Sequence, residues 1–272
     1  MGRSLLYLLV AAALLGGCTS TEEKDQTTNW SAERMYSEAS AALQEGNYDK
    51  AIKNYEKLEA RYPYGRYAAQ SQLDIAYAYS KFDEPDAAID ALDRFIRLHP
   101  DHPKLAYAYY MKGVVNLDRN LGLMDRFVPT DASQRDPVSY TQAYKDFKEV
   151  VERFPDSKYA KDAQQRAIYL FNSLAMHEIH IANFYMDRGA YLAAVKRAVG
   201  VVENYQRTPA AEKALVIMVD AYTKLGLPEF SEDANRVLVL NREQGNFGSD
   251  AYEQANKSML RKFWEYVGLD ED

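Results

Sequence analysis

From Ala32 onward, apolar residues recur every three or four positions, the period of one face of an α-helix. Four stretches share one spacing. Tyr48, Ala51, Ile52, Tyr55, Leu58 and Tyr62 fall at offsets 0, 3, 4, 7, 10 and 14. Tyr140, Ala143, Tyr144, Phe147, Val150, Val151 and Phe154 keep those offsets and add offset 11, and Tyr191, Ala194, Val195, Ala198, Val201, Val202 and Tyr205 repeat the longer set. Ala88, Ile89, Leu92, Phe95, Ile96 and His99 match from offset 3, with Pro85 in the tyrosine slot.

Each of these helices has a predecessor. Ala32, Met35, Tyr36, Ala39, Ala42 and Leu43 form a stripe that stops near Gly46. Leu73, Ala76 and Tyr79 precede Pro85, Tyr109, Gly113 and Asn116 open a third unit, and Ile179, Ala182 and Tyr185 run to Gly189. Small residues at Ala39, Ala76, Gly113 and Ala182 let paired helices approach closely. Between units the chain writes similar phrases, "RYPYGRYA", "LHPDHPKLA" and "RFPDSKYA". A proline cannot continue a helix and disfavours the helical conformation in the residue before it, so each phrase marks one helix stopping before another starts.

A small residue, an Ala twelve positions on, an aromatic or aliphatic residue four further, then Pro is the helix–turn–helix pattern of tetratricopeptide repeats. Ala39, Ala51, Tyr55 and Pro63 fit it, as do Ala76, Ala88, Leu92 and Pro100. Ala182, Ala194 and Ala198 fit with Gln206 in the proline slot. The third unit fits with about 18 extra residues, the segment Arg119–Pro137, after which Asp136-Pro137 caps and opens the next helix. A degenerate fifth pair runs from Ala210 to about Asn241, and a last helix, Ser249–Tyr266, closes the array. The expected fold is all-α: a superhelical array of about five tetratricopeptide-like helix pairs in a domain spanning 32–245, with pairs near 32–65, 69–102, 106–157, 175–208 and 210–241 and a tail at 246–272.

The N-terminus adds a different signal. Arg3 precedes an apolar run from Leu5 to Leu15, too short to cross a bilayer and the right length for the core of a signal peptide. Leu15-Gly16-Gly17-Cys18 reads as a bacterial lipobox, with 1–17 removed and Cys18 lipidated; the alternative is an ordinary signal peptide with a chance cysteine. The polar stretch to residue 31 has too few apolar residues to join a core and reads as a tether.

Chemistry narrows the function by what is missing. A net charge of -7 argues against a broad nucleic-acid surface, and a single Cys excludes an intrachain disulfide. No phosphate-binding loop, dinucleotide fingerprint or nucleophile elbow occurs. "HEIH", His177–His180, has its second His one residue early for a zinc-protease motif; two polar residues on a helix face is the ordinary reading. No cofactor is expected beyond the lipid on Cys18. The 22 tyrosines instead suit a contact surface, since a tyrosine can be half buried and half wet. The repeat register points Tyr36, Ser40, Leu73, Asp74, Tyr77, Tyr107 and Tyr110 into the concave groove, though each tyrosine could equally pack between helices. Arg197 lies one residue before a stripe position and points away from the pair core, as a solvated side chain or a partner contact.

Lipobox, tether and five helix pairs together resemble the BamD family of the bacterial β-barrel assembly machinery. "GNYDKAI", "RYPYGRYAAQ", "AAIDALDRFIRLHPDHP", "SQRDP" and "DRGAYLAAV" are similar to that family's segments, over roughly 15–240. The resemblance implies a non-enzymatic periplasmic scaffold, lipid-anchored at the outer membrane, with Thr19 and Ser20 rather than Asp after the cysteine. It implies binding to the barrel subunit BamA, to accessory lipoproteins and to unfolded outer-membrane β-barrel precursors through their C-terminal strand signal, with Arg197 on the BamA side. Two other readings stay open: a lipoprotein adaptor for cell-wall or secretion machinery, and a periplasmic hydrolase.

Overall fold

The computed structural model describes residues 27–119, 133 and 136–247. Ten α-helices and no strand occur among these residues: α1 (Ala32–Gln44), α2 (Tyr48–Arg61), α3 (Ala68–Lys81), α4 (Pro85–Leu98), α5 (Leu105–Asp118), α6 (Pro137–Arg153), α7 (Ala160–Asp187), α8 (Tyr191–Asn204), α9 (Pro209–Lys224) and α10 (Pro228–Glu243). They form five antiparallel pairs in chain order, and first helices touch along the array, α1 on α3, α3 on α5 and α7 on α9. Cys18, residues 120–132, 134 and 135 of the insertion, and the expected helix Ser249–Tyr266 lie outside the described residues.

Local chemistry sets the ends. The Ser31, Asn47 and Asp136 side chains accept hydrogen bonds from the backbone N–H groups of Arg34, Lys50 and Val138 at 3.3, 3.2 and 3.1 Å, satisfying donors that a helix start leaves unpaired. Pro85, Pro137, Pro209 and Pro228 occupy first-turn positions where no N–H is needed. Two kinds of stop alternate. Within pairs, Gly46, Gly189 and Gly226 adopt φ of 75, 71 and 70°, and Asp83 takes the same left-handed conformation between α3 and α4. Between pairs, Tyr62, His99, Phe154 and Tyr205 leave the helix near φ −131, −131, −131 and −126°, each with its N–H still bonded four residues back. These four are the offset-14 residues of the shared spacing.

The core runs along the array as three clusters. The stripe residues Ala51, Tyr55, Leu58, Ala88, Leu92, Phe95, Ala143, Phe147, Val150, Ala194, Ala198 and Val201 are all buried. Gly113 meets Phe147 so closely that a Cβ at 113 would lie 2.7 Å from the ring. Substituting Ala51, wholly buried, by leucine is expected to cost about 1–3 kcal/mol by overpacking. Ala60→Leu, on the exposed side of the same helix, is expected to leave the melting temperature nearly unchanged. Equal melting shifts would contradict the register.

One boundary differs from expectation. The repeat spacing puts the fourth pair from about residue 175, yet α7 begins at Ala160 and runs 28 residues. No Gly or Pro interrupts 160–187, and the early turns have their own apolar face in Ala163, Leu170 and Leu174, which packs with Phe147 and Val150. The later turns, with Ile179 and Ala182, pack with α8 and α9.

Candidate functional site

The first helices carry two similar clusters of tyrosine and carboxylate. In the first, the Tyr36 ring on α1 stacks on Tyr67, just before α3, with centroids 4.7 Å apart and planes at 13°. Tyr55 from α2 meets Tyr36 edge-on at 6.1 Å. Both tyrosines donate to Asp74 Oδ2, at 2.9 Å from Tyr36 and 3.3 Å from Tyr55, while Gln70 Nε2 donates to Asp74 Oδ1 at 2.6 Å. Lys104, before α5, donates in turn to Gln70 Oε1. Burial pushes the Asp74 carboxyl above its ordinary value, against the pull of these donors. Burial, followed by the neighbouring carboxylate, pushes the Tyr36 and Tyr55 hydroxyls well above the usual tyrosine range, so both remain donors.

The second cluster repeats the design two pairs later. Tyr110 on α5 stacks on Tyr159, just before α7, at 5.0 Å and 25°, and donates to Asp162 Oδ2 at 2.6 Å. Arg166 Nε donates to the same oxygen at 2.5 Å. Tyr107 packs against Tyr159 at 5.6 Å. The Tyr110 hydroxyl is pushed up to about 12 by burial and by its bond to Asp162, and the Tyr107 hydroxyl to about 12, chiefly by burial. Each cluster is a tyrosine on a first helix, stacked on a second tyrosine just before the first helix of the next pair and hydrogen-bonded to a carboxylate on that helix.

The residues expected to line the groove fall in different surroundings. Tyr36 and Asp74 meet directly, Tyr107 and Tyr110 share Tyr159, and Tyr77 is half-buried beside Lys81, whose Nζ lies 5.5 Å from the ring. Ser40 is half-buried on α1 and accepts from Gln44 Nε2 at 3.3 Å. Leu73 is a correction: it is 1 % exposed and belongs to the core. It occupies the slot of Tyr36 and Tyr110, but a leucine is shorter and has no polar tip to hold at the surface. Tyr55, Tyr67, Gln70, Tyr159, Asp162 and Arg166 were not foreseen. Tyr67 and Tyr159 had a visible signal, the same place in "RYPYGRYA" and "RFPDSKYA".

Arg197 lies on α8, half-exposed, and donates to Glu178 Oε2 of α7 at 3.0 Å. The bond crosses the pair at a shallow cleft that also includes Tyr185, Lys196, Gly200 and Tyr205. An exposed pair of this kind contributes about 0.2–1 kcal/mol, so exchanging Glu178 for an outside carboxylate costs little. The two histidines of "HEIH" meet one residue: His177 Nδ1 lies 2.8 Å from the Ser133 carbonyl and His180 Nε2 2.8 Å from the Ser133 hydroxyl. Among the described residues no group of His, Cys, Asp or Glu is placed to hold a metal ion, and no helix is long and apolar enough to cross a membrane.

The family model YfiO, described as an outer membrane lipoprotein, matches residues 28–237. Among similar proteins, "Outer membrane protein assembly factor BamD" of Neisseria meningitidis serogroup A is 43% identical over 267 residues, covering 97% of this chain and 100% of that protein. The Vibrio cholerae protein of the same name is 38% identical, covering 86% and 96%, and that of Haemophilus influenzae is 32% identical, covering 89% and 91%. With the helix pairs and the paired tyrosine clusters in place, these matches establish that the chain belongs to the BamD family of outer-membrane lipoproteins.

Proposed function

We propose that the chain is a scaffold of the outer-membrane β-barrel assembly machinery that holds unfolded barrel precursors on its tyrosine-lined face and binds the barrel subunit BamA through its C-terminal repeats. Its relatives' role as outer-membrane assembly factors supports the coarse reading. The doubled tyrosine–carboxylate cluster carries the finer one. Stacked rings with hydroxyl tips suit a strand of alternating aromatic and polar residues, and Asp74 and Asp162 add acceptors for its backbone N–H groups. Work of this kind is binding and positioning, without covalent chemistry. A lipid on Cys18 would keep the scaffold at the membrane, beside accessory lipoproteins of the complex.

The division of labour is testable on one chain. Tyr36→Ala with Tyr77→Ala is expected to weaken binding of a barrel C-terminal peptide at least tenfold, read by fluorescence anisotropy, and to spare BamA co-purification from detergent-solubilised envelopes. Arg197→Leu is expected to do the reverse, with helicity and melting temperature nearly unchanged. Loss of the peptide by Arg197→Leu, or BamA recovery equal to wild type, overturns the assignment. Recovery of cell-wall enzymes in place of BamA would favour an adaptor role.

A further inference from the structure

Between α2 and α4 lies a cleft of about 530 Å³, lined by Glu56 and Glu59 of α2, Ile75 and Tyr79 of α3, and Asp90 and Arg94 of α4. Three carboxylates thus share it with one guanidinium. The Tyr79 hydroxyl donates to Glu56 Oε1 at 2.7 Å. Arg94 is exposed, and its Nη1 lies 3.4 Å from Glu59 Oε2. Glu59 Oε1 is buried and has no hydrogen-bond partner among the described residues, which is costly for a carboxylate. The sequence also makes Glu59 an exception. It stands at offset 11 of the shared spacing, where the other helices of that spacing carry Ile96, Val151 and Val202.

The next cleft along the array has a cation where this one has none. Between α4 and α6, the acid at offset 8 is Asp93, and it meets Lys112 of α5. Lys112 Nζ lies 2.7 Å from Asp93 Oδ1 and 3.7 Å from Asp146 Oδ1. Lys112 directly precedes Gly113, the small residue of its repeat. In the first cleft Glu56 holds offset 8, but the residue directly before the small residue Ala76 is Ile75, which brings no charge. The first cleft therefore keeps the acids and lacks the ammonium that the second builds in. Burial pushes the Glu59 carboxyl above its ordinary value, against the pull of Arg94. Ala60, Ala87 and Ala91 complete the lining, and their small apolar side chains leave room for a methylene stem.

We propose that this cleft takes a lysine side chain of a partner polypeptide, its stem against the three alanines and its ammonium beside Glu56 and Glu59, in the place that Lys112 fills one pair later. Charge complementarity of this kind selects the segment that docks and fixes its register.

Methyl NMR on the full mature chain labelled at isoleucine tests this, with Ile75 reporting on the first cleft and Ile89 on the second. A blocked Ala-Ala-Lys-Ala-Ala peptide is expected to shift the Ile75 methyl saturably and to leave Ile89 unmoved. The same peptide with norleucine in place of lysine keeps the stem without the ammonium and is expected to bind at least tenfold more weakly. Glu56→Gln with Glu59→Gln, which preserves the shape of both side chains, is expected to weaken the lysine peptide at least tenfold without lowering the melting temperature. No saturable shift at Ile75 overturns the proposal, as do equal binding of the norleucine peptide and binding that survives the double substitution. Tighter binding of cadaverine than of the peptide also overturns it, since a free diamine would then be the ligand. A lower melting temperature in the double variant would assign the two carboxylates to the fold instead.

Discussion

Phe147→Ala is expected to lower the free energy of unfolding by about 3–5 kcal/mol, the usual cost of emptying a fully buried aromatic site. The neighbouring Gly113 makes this a test of the helix contact itself. A Cβ there would lie within 2.9 Å of three ring atoms of Phe147, closer than carbon atoms tolerate. Gly113→Leu alone is expected to cost about 1–3 kcal/mol through overpacking. The propensity gained by removing a mid-helix glycine offsets about 1 kcal/mol of that. Combined, the leucine enters the space the ring has left, so the double variant should lose less than the two single losses together. Urea denaturation of the four proteins measures the difference. Simple additivity would mean that the third pair is not held by this contact.

Membrane retention should respond even more sharply to one atom. On the proposal that Cys18 carries lipid, Cys18→Ser exchanges the sulfur that accepts the lipid for an oxygen that does not. Each buried CH2 contributes about 0.8 kcal/mol, so two or more chains hold stably where a single one binds marginally. The variant is expected to move from the membrane to the soluble periplasmic fraction once its partners are removed. A Cys18→Ser protein that still sediments wholly with membranes would contradict lipid anchoring.

Much of this architecture was legible because helix periodicity is local. Offsets of 3, 4 and 7 identify a buried stripe without knowledge of what lies opposite, and Pro85, Pro137, Gly46 and Gly189 mark ends by backbone chemistry alone. The length of α7 was missed for the converse reason. Its first turns place Ala163, Leu170 and Leu174 against a different pair from its last, so the stripe drifts out of the repeat spacing. Register picks out Tyr36, Asp74 and Tyr110 as groove candidates but not their bonds. Tyr36 reaches Asp74 across 38 residues and Tyr110 reaches Asp162 across 52, distances set by how successive pairs stack. Leu73 shows the limit of register alone: one slot holds a wet tyrosine twice and a dry leucine once.

The shared helix α7 has a mechanical consequence. Elsewhere the joint between pairs is a short turn, where neighbouring units can tilt by small sliding of side chains. Between the third and fourth pairs the turn at residues 154–159 is braced by α7, which packs on the third pair through Leu170 and Leu174 and on the fourth and fifth through Ile179 and Ala182. Flexing the array there requires bending a hydrogen-bonded rod about 42 Å long. The tyrosine cluster at Asp162 and the cleft at Arg197 therefore ride on one stiff beam, and a pull on either end is transmitted to the other instead of being absorbed between them.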